Sequence, residues 1–258
     1  MSSPYAILAR YYDLQHNAFQ DDAPLYATLA ARQATDGVCR VLEIGCGTGR
    51  VMAPLLSAGH HVVGLDESQE MLDIAARRLA DQPPARWALH RLDARAYTLE
   101  QPFDLAVIAL NTFLHCASRD DQLATLRSAC AHLRPDGALS VDLPPNDELA
   151  NQPDDGEFQF EAQLSDPETG EMIVKHVASE IAWSDQAQTL RYRMESRLGN
   201  KARATQTVSF TLRHVFRHEM ELLLLASGFD RWTWHGDYAL GPYGDDSARM
   251  IVVAQPAR

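Results

Sequence analysis

Apolar residues in this chain fall into short runs separated by stretches of helical spacing. Up to about Gly37 the spacing is helical, with Leu25, Leu29 and Ala30 on one face of an Ala-rich segment. From Val38 the pattern alternates. Val38–Ile44 predicts a strand, followed by a glycine loop and a helix through Leu56. His60–Asp66 predicts a second strand, and the helix after it has Ser68 as its N-cap. Ala85–Leu92 and Phe103–Leu110 predict strands three and four. A helix over Asp120–Leu133 should stop at Pro135-Asp-Gly137, and Ala138–Leu143 supplies a fifth strand. Strands alternating with helices predict a doubly wound parallel sheet, whose right-handed crossovers place the strand C-termini along one ligand-binding edge.

After Pro144-Pro145 the period changes to two. Phe158, Phe160, Ala162 and Leu164 alternate, as do Val177, Ile181 and Trp183, then Leu190, Tyr192, Met194 and Leu198, then Val208, Phe210 and Leu212. Turns at Asp166–Gly170 and Gly199-Asn200 separate these runs, which predicts an inserted antiparallel sheet with one apolar face over 156–213. A helix over Glu219–Ala226, stopped by Gly228, and strands near Asp230–His235 and Arg249–Ala254 then complete the first sheet. The expected organisation is a helical segment over 1–37, an α/β core over 38–145, the inserted sheet, and a completion of the core over 214–258. The main sheet should have seven mostly parallel strands.

Composition narrows the partners. Hydrophobic residues make up 46% and charged residues 22% of 258, an ordinary balance for a globular protein. With 23 basic against 35 acidic residues the net charge is -12, a field that repels polyanions and anionic membranes. A small molecule, especially an amine, is the expected partner, with no nucleic acid and no membrane. The densest apolar run, Leu222–Ala226, is too short to span a bilayer and reads as the core face of a helix. No signal-peptide pattern opens the chain, and Cys39, Cys46, Cys116 and Cys130 show no metal spacing, so a cytoplasmic protein with free thiols is expected. His214 and His218 are spaced for a metal only if they share a helix, and no third ligand is evident, so no metal is expected.

The loop Glu43-Ile-Gly45-Cys46-Gly47-Thr-Gly49 carries the chemistry. Its glycines admit backbone close to a ligand, yet no Gly-Lys-Ser/Thr follows, and the third Gly comes one residue early for a dinucleotide loop. Glu43 at the strand end suits a phosphate-free, positively charged ligand. Asp66 ends strand two about 20 residues on, where a carboxylate accepts ribose hydroxyls, and Asp93 ends strand three. Singly, Asp66 also reads as a helix start and Asp93 as a turn residue. Together, three acids after three successive strands describe a nucleoside site without phosphates.

These motifs, with Gly64–Leu72, Leu92–Ala94 and Leu133–Gly137 in order, resemble those of the class I S-adenosylmethionine-dependent methyltransferases, in the branch of small-molecule enzymes acting on glycine and amino sugars. The resemblance implies a Rossmann-like fold, S-adenosylmethionine as methyl donor and S-adenosylhomocysteine as product. It implies that Asp66 meets the ribose, Asp93 the adenine amino group, and Met71 the adenine ring. Gly45 and Gly47 would lie under the methionine portion, with Glu43, Cys46, Gly49, Glu67, Ala94 and Leu110 completing the pocket. His115, in an Asn111-x-x-x-His context, would lie at the acceptor, where an imidazole titrating near neutral pH suits deprotonating an amine; a histidine satisfied by backbone at a helix start is the other reading. Tyr12 of Tyr11-Tyr12-Asp13 would reach the methyl site, unless it packs the N-terminal helix. The inserted sheet should cap the acceptor pocket or form a homodimer interface, and the loop Gly236–Ser247 contacts substrate or merely connects. Methyl transfer to nitrogen is expected, with oxygen the runner-up, carbon methylation or another use of the cofactor left open, and a non-catalytic cofactor-binding module the rival of another class.

Overall fold

The structure, a computed structural model, describes residues 4–145 and 147–257. Two helices, α1 (Pro4–His16) and α2 (Ala23–Gln33), precede the core. The core then runs β1 (Arg40–Ile44), α3 (Met52–Ser57), β2 (His61–Asp66), α4 (Gln69–Arg78), β3 (Trp87–Arg91), β4 (Phe103–Ile108), α5 (Arg119–Ala131) and β5 (Leu133–Leu143). The insertion supplies β6 (Gln159–Ser165), β7 (Met172–Ala182), β8 (Ala187–Leu198) and β9 (Lys201–Arg213). Helix α6 (Arg217–Ala226) and strands β10 (Phe229–His235) and β11 (Met250–Pro256) return to the core.

The seven-stranded sheet has the order β10-β11-β5-β4-β1-β2-β3, and β11 alone runs antiparallel to its neighbours. Strand order reverses at β1, which lies between β4 and β2, so the crevice for a ligand opens at the C-terminal ends of these strands. Strand alternation sends Leu42 and Ile44 to the layer under α5 and α6, and Val41 to the layer under α2 and α3. Helix α4 begins as expected: the Ser68 hydroxyl accepts from the Met71 N–H at 3.3 Å.

Three local expectations change. Helix α5 ends at Ala131, and Leu133–Gly137 belongs to β5 rather than to a turn. A Cβ on Gly137 would sit 3.1 Å from the carbonyl oxygens of Phe103, Asp104 and Arg134, so this glycine serves close strand packing. Phe160 leaves the apolar face of the insertion: Phe160 pairs with His176 but Ala162 with Lys175, and this bulge turns Phe160 outward to 63% exposure. Within the Leu222–Ala226 run only Leu223 and Leu224 are core residues, while Leu222 and Leu225 face solvent.

The four-stranded sheet, β6-β7-β8-β9, lays its apolar face on α1. Ile173, Met194 and Val208 enclose Tyr11, whose hydroxyl donates to Gln206 Oε1 at 2.7 Å. On its other side α1 is fastened to the core by Asp13, which accepts from Thr48 Oγ1 at 2.7 Å and pairs with Arg78 at 2.8 Å. One helix therefore forms the layer between the two sheets. No helix among the described residues is long and apolar enough to cross a membrane.

Candidate active site

At the ends of β1, β2 and β4 lies a cavity of about 330 Å³. The loop after β1 forms its floor. Gly45 and Gly47 have φ of +72° and +52°, a region that a side chain disfavours. A Cβ on Gly45 would collide with Thr112 Cγ2, whereas a Cβ on Gly47 meets nothing within 4 Å and would fill space left for a ligand. The loop is clamped to its neighbour strand, since the Gly45 and Cys46 N–H groups both donate to Leu65 O at 2.8 Å. Behind it Arg50 forms a buried two-pronged pair with Asp22 at 2.7 and 2.6 Å. Asp22 occupies the N-cap position of α2 without capping it, because its carboxylate serves Arg50.

Asp66 accepts from the Gly47 and Ser68 N–H groups, each at 2.9 Å, which holds its carboxylate at the cavity wall. Burial raises its pKa against these hydrogen bonds. Glu67, Met71, Asp93 and Ala94 also line the cavity. Asp93 is engaged by Arg95, with Nη2 at 2.6 Å and Nε at 2.9 and 3.0 Å, and this guanidinium holds its carboxyl below the usual range. Arg95 reaches on to Asp121 at 3.0 Å, giving this end of the cavity a charged rim.

Tyr5, Tyr12 and His115 line the same cavity. Chain reversal after β4 uses two consecutive left-handed residues, Leu110 and Asn111, at φ +43° and +61°. Asp142 holds this turn, accepting from Leu110 N at 3.3 Å and from Arg249, whose Nη2 also donates to Asn111 Oδ1 at 2.7 Å. His115, at the end of the 3-10 turn Thr112–His115, shares a 2.8 Å hydrogen bond through Nδ1 with the Tyr5 hydroxyl. Its ring lies against Phe210 of β9 with centroids 5.4 Å apart, and Phe210 meets Tyr192 edge-on. Burial among these rings pushes the His115 imidazole down to about 4 and the Tyr5 phenol up to about 12. The expected titration near neutrality is therefore corrected: His115 is a neutral imidazole across the physiological range.

Four residues of the expected set lie outside the cavity lining. Cys46 is buried against Gly64, Gly49 packs on Ala75 of α4, and Leu110 serves the turn through its backbone. Glu43, next to last in β1, is buried, 3% exposed. The histidine pair separates: His214 Nε2 meets Gln188 at 3.0 Å, while His218 projects to solvent. Among the described residues no cluster of metal-ligating side chains occurs. The loop Gly236–Ser247 sends Tyr238 to Asp142 at 3.1 Å and does not line the cavity. Among the described residues none of the inserted sheet lines the cavity, and Phe210 of β9 packs on His115, which does. Tyr5, Arg50, Arg95 and Thr112 went unread in the sequence. For Arg50, a basic residue directly after the glycine loop with acids upstream was an available signal; Tyr5 had none.

Known proteins share both the motifs and the architecture. Residues 41–137 match the methyltransferase domain family. Over 131 residues the chain is 33% identical to a cypemycin N-terminal methyltransferase of Streptomyces sp, covering 51% of this chain and 52% of that one. Over 139 residues it is 30% identical to a dTDP-3-amino-3,6-dideoxy-alpha-D-glucopyranose N,N-dimethyltransferase of Streptomyces fradiae, covering 52% of each. The matches thus span about half the length of these curated relatives. The solved CcbJ methyltransferase from Streptomyces caelestis aligns over 99% of both chains with a TM-score of 0.80 at 22% identity, a likeness of fold. Residues 41–137 thus match a methyltransferase domain, set in a Rossmann-like fold that the solved methyltransferase shares over nearly its whole length.

Proposed function

We propose that this protein transfers a methyl group from S-adenosylmethionine to an amine nitrogen of a small molecule. The observation that carries this reading is one cavity lined both by the glycine loop with Asp66 and Asp93 and by the aromatic group Tyr5, Tyr12 and His115. The residues present fit the cofactor: Gly47 leaves an open cradle, Asp66 offers a fixed carboxylate for the ribose, and Met71 with Asp93 stands where adenine would lie. Tyr12 lines the same cavity and is proposed to face the methionine portion. Bound there, the sulfonium supplies an activated methyl group for in-line displacement.

The aromatic end selects the nucleophile's charge state. Burial that disfavours imidazolium disfavours an ammonium equally, so an acceptor amine enters in its neutral, nucleophilic form. His115 orients it by hydrogen bonding, with its tautomer set by the Tyr5 hydroxyl. Once methylated, the nitrogen would be cationic and would shed its proton to solvent rather than to the buried, neutral His115. Proximity supplies most of the acceleration. The relatives named for N-terminal and amino-sugar N-methylation support nitrogen as acceptor.

Incubating the protein with labelled S-adenosylmethionine and panels of amines, phenols and carboxylates, followed by product mass, tests the proposal. Label appearing on amines supports it. Label on phenols or carboxylates alone overturns nitrogen as the acceptor atom, and binding without transfer to any panel overturns the catalytic reading.

A further inference from the structure

Glu43 is the next-to-last residue of β1, two before Gly45, between Gly64 of β2 and Val107 of β4. Its side chain is buried, and Oε2 has no hydrogen-bond partner among the described residues. The charged and titratable groups facing it come from every surrounding element: Tyr12 of α1, Asp22 and Tyr26 at α2, Arg50 after the loop, and Asp66 of β2. Arg50 is the cation among them, and both its terminal nitrogens are committed to Asp22. Tyr26 brings a second buried oxygen without a hydrogen-bond partner to the same neighbourhood. A carboxylate with a bare oxygen and no cation of its own is costly in such a place, and a neutral carboxyl is not. Burial accordingly pushes Glu43 up to about 8.

We propose that Glu43 is a proton-exchanging group of the cofactor site: it is protonated in the ligand-free protein, and the ammonium of the entering ligand displaces that proton to solvent. The inference rests on the S-adenosylmethionine reading above. The balance is simple: a carboxyl and an ammonium become a carboxylate–ammonium pair plus one free proton. The ligand thereby brings the cation that the protein withholds from Glu43. Because the ligand takes the carboxylate form, affinity falls about tenfold for each pH unit below the free-state pKa and levels off above it.

Titration calorimetry of the intact chain at pH 6.5, in buffers of different ionisation enthalpy, tests this with two probes. S-adenosylhomocysteine carries the ammonium; 5′-methylthioadenosine keeps the nucleoside and lacks the amino acid. The expected result is release of about one proton per S-adenosylhomocysteine bound and close to none with 5′-methylthioadenosine. Glu43→Gln should abolish the release and flatten the affinity of S-adenosylhomocysteine between about pH 6 and 8. Equal release with both probes would assign the proton to the nucleoside side, at Asp66, and overturn the proposal. Binding of both without release, or full release from Glu43→Gln, would overturn it while leaving the cofactor reading intact. Failure of both probes to bind would instead overturn the cofactor reading itself. Should Glu43→Gln fail to fold, the two-probe comparison on the unaltered chain still decides.

Discussion

At the cofactor end of the cavity, residues that meet in space also stand near one another in the chain: Gly45, Gly47, Asp66, Met71 and Asp93 all follow β1, β2 or β3. At the proposed acceptor end, Tyr5 comes from α1, His115 from the turn after β4, and Phe210 from the inserted sheet. The first end is backbone and carboxylate, fixed by strand order; the second is aromatic and neutral, fixed by how three separate pieces pack. Damage to the first should therefore appear as lost loop integrity or cofactor affinity. Damage to the second should appear in turnover with cofactor affinity preserved.

The largest expected effect lies at the root of the first end. Arg50→Ala leaves Asp22 buried without its partner, and thermal or denaturant unfolding should show a loss of about 3–5 kcal/mol. Asp66→Asn removes a charged acceptor at the cavity wall, and direct binding measurements should show S-adenosylmethionine weakened by about 1.5–3 kcal/mol, roughly 10- to 150-fold. If Asp66→Asn instead lowered turnover without weakening the cofactor, the division between the two ends would fail.

Next in size is a pH effect from the buried histidines. Burial lowers His214 and His115 to about 4 in the folded protein, so between that value and the unfolded pKa of 6.5 the unfolded chain binds more protons. Stability is then full above pH 6.5 and falls as pH drops through this window. For the well-buried His214 the loss at pH 5 should be about 2 kcal/mol, at ~1.36 kcal/mol per unit. Comparing denaturant midpoints of the native chain and His214→Gln from pH 7 to 5 checks it, and the variant should show the shallower decline. The smallest effect belongs to Tyr5→Phe, which removes one hydrogen bond to His115. It should lower kcat by about 0.5–1.5 kcal/mol in barrier, leave cofactor affinity unchanged, and introduce no new inflection between pH 6 and 8.

The same contrast explains what the sequence revealed. Strand periodicity and the spacing of Glu43, Gly45, Gly47, Asp66 and Asp93 expose the cofactor end, because a parallel sheet converts chain order directly into spatial order along one edge. Nothing local marks Tyr5, which gains its meaning only once α1 lies over the cavity. Phe160 alternates with its neighbours on paper, and a bulge moves it to the other face. Leu133–Gly137 resembles a helix stop followed by a turn, yet the backbone crowding at Gly137 is that of a strand. The neutrality of His115 depends on Phe210, 95 positions away, packing against it.

Helix α1 touches both ends at once: Asp13 holds the glycine loop, Tyr11 holds the inserted sheet, and Tyr5 and Tyr12 face the cavity. On the proposed function, cofactor and acceptor would therefore share one wall, α1. A ligand that settles α1 for one of them settles it for the other, and this coupling is reciprocal by thermodynamic necessity. On that reading, whatever factor the cofactor adds to acceptor affinity, the acceptor would add to cofactor affinity.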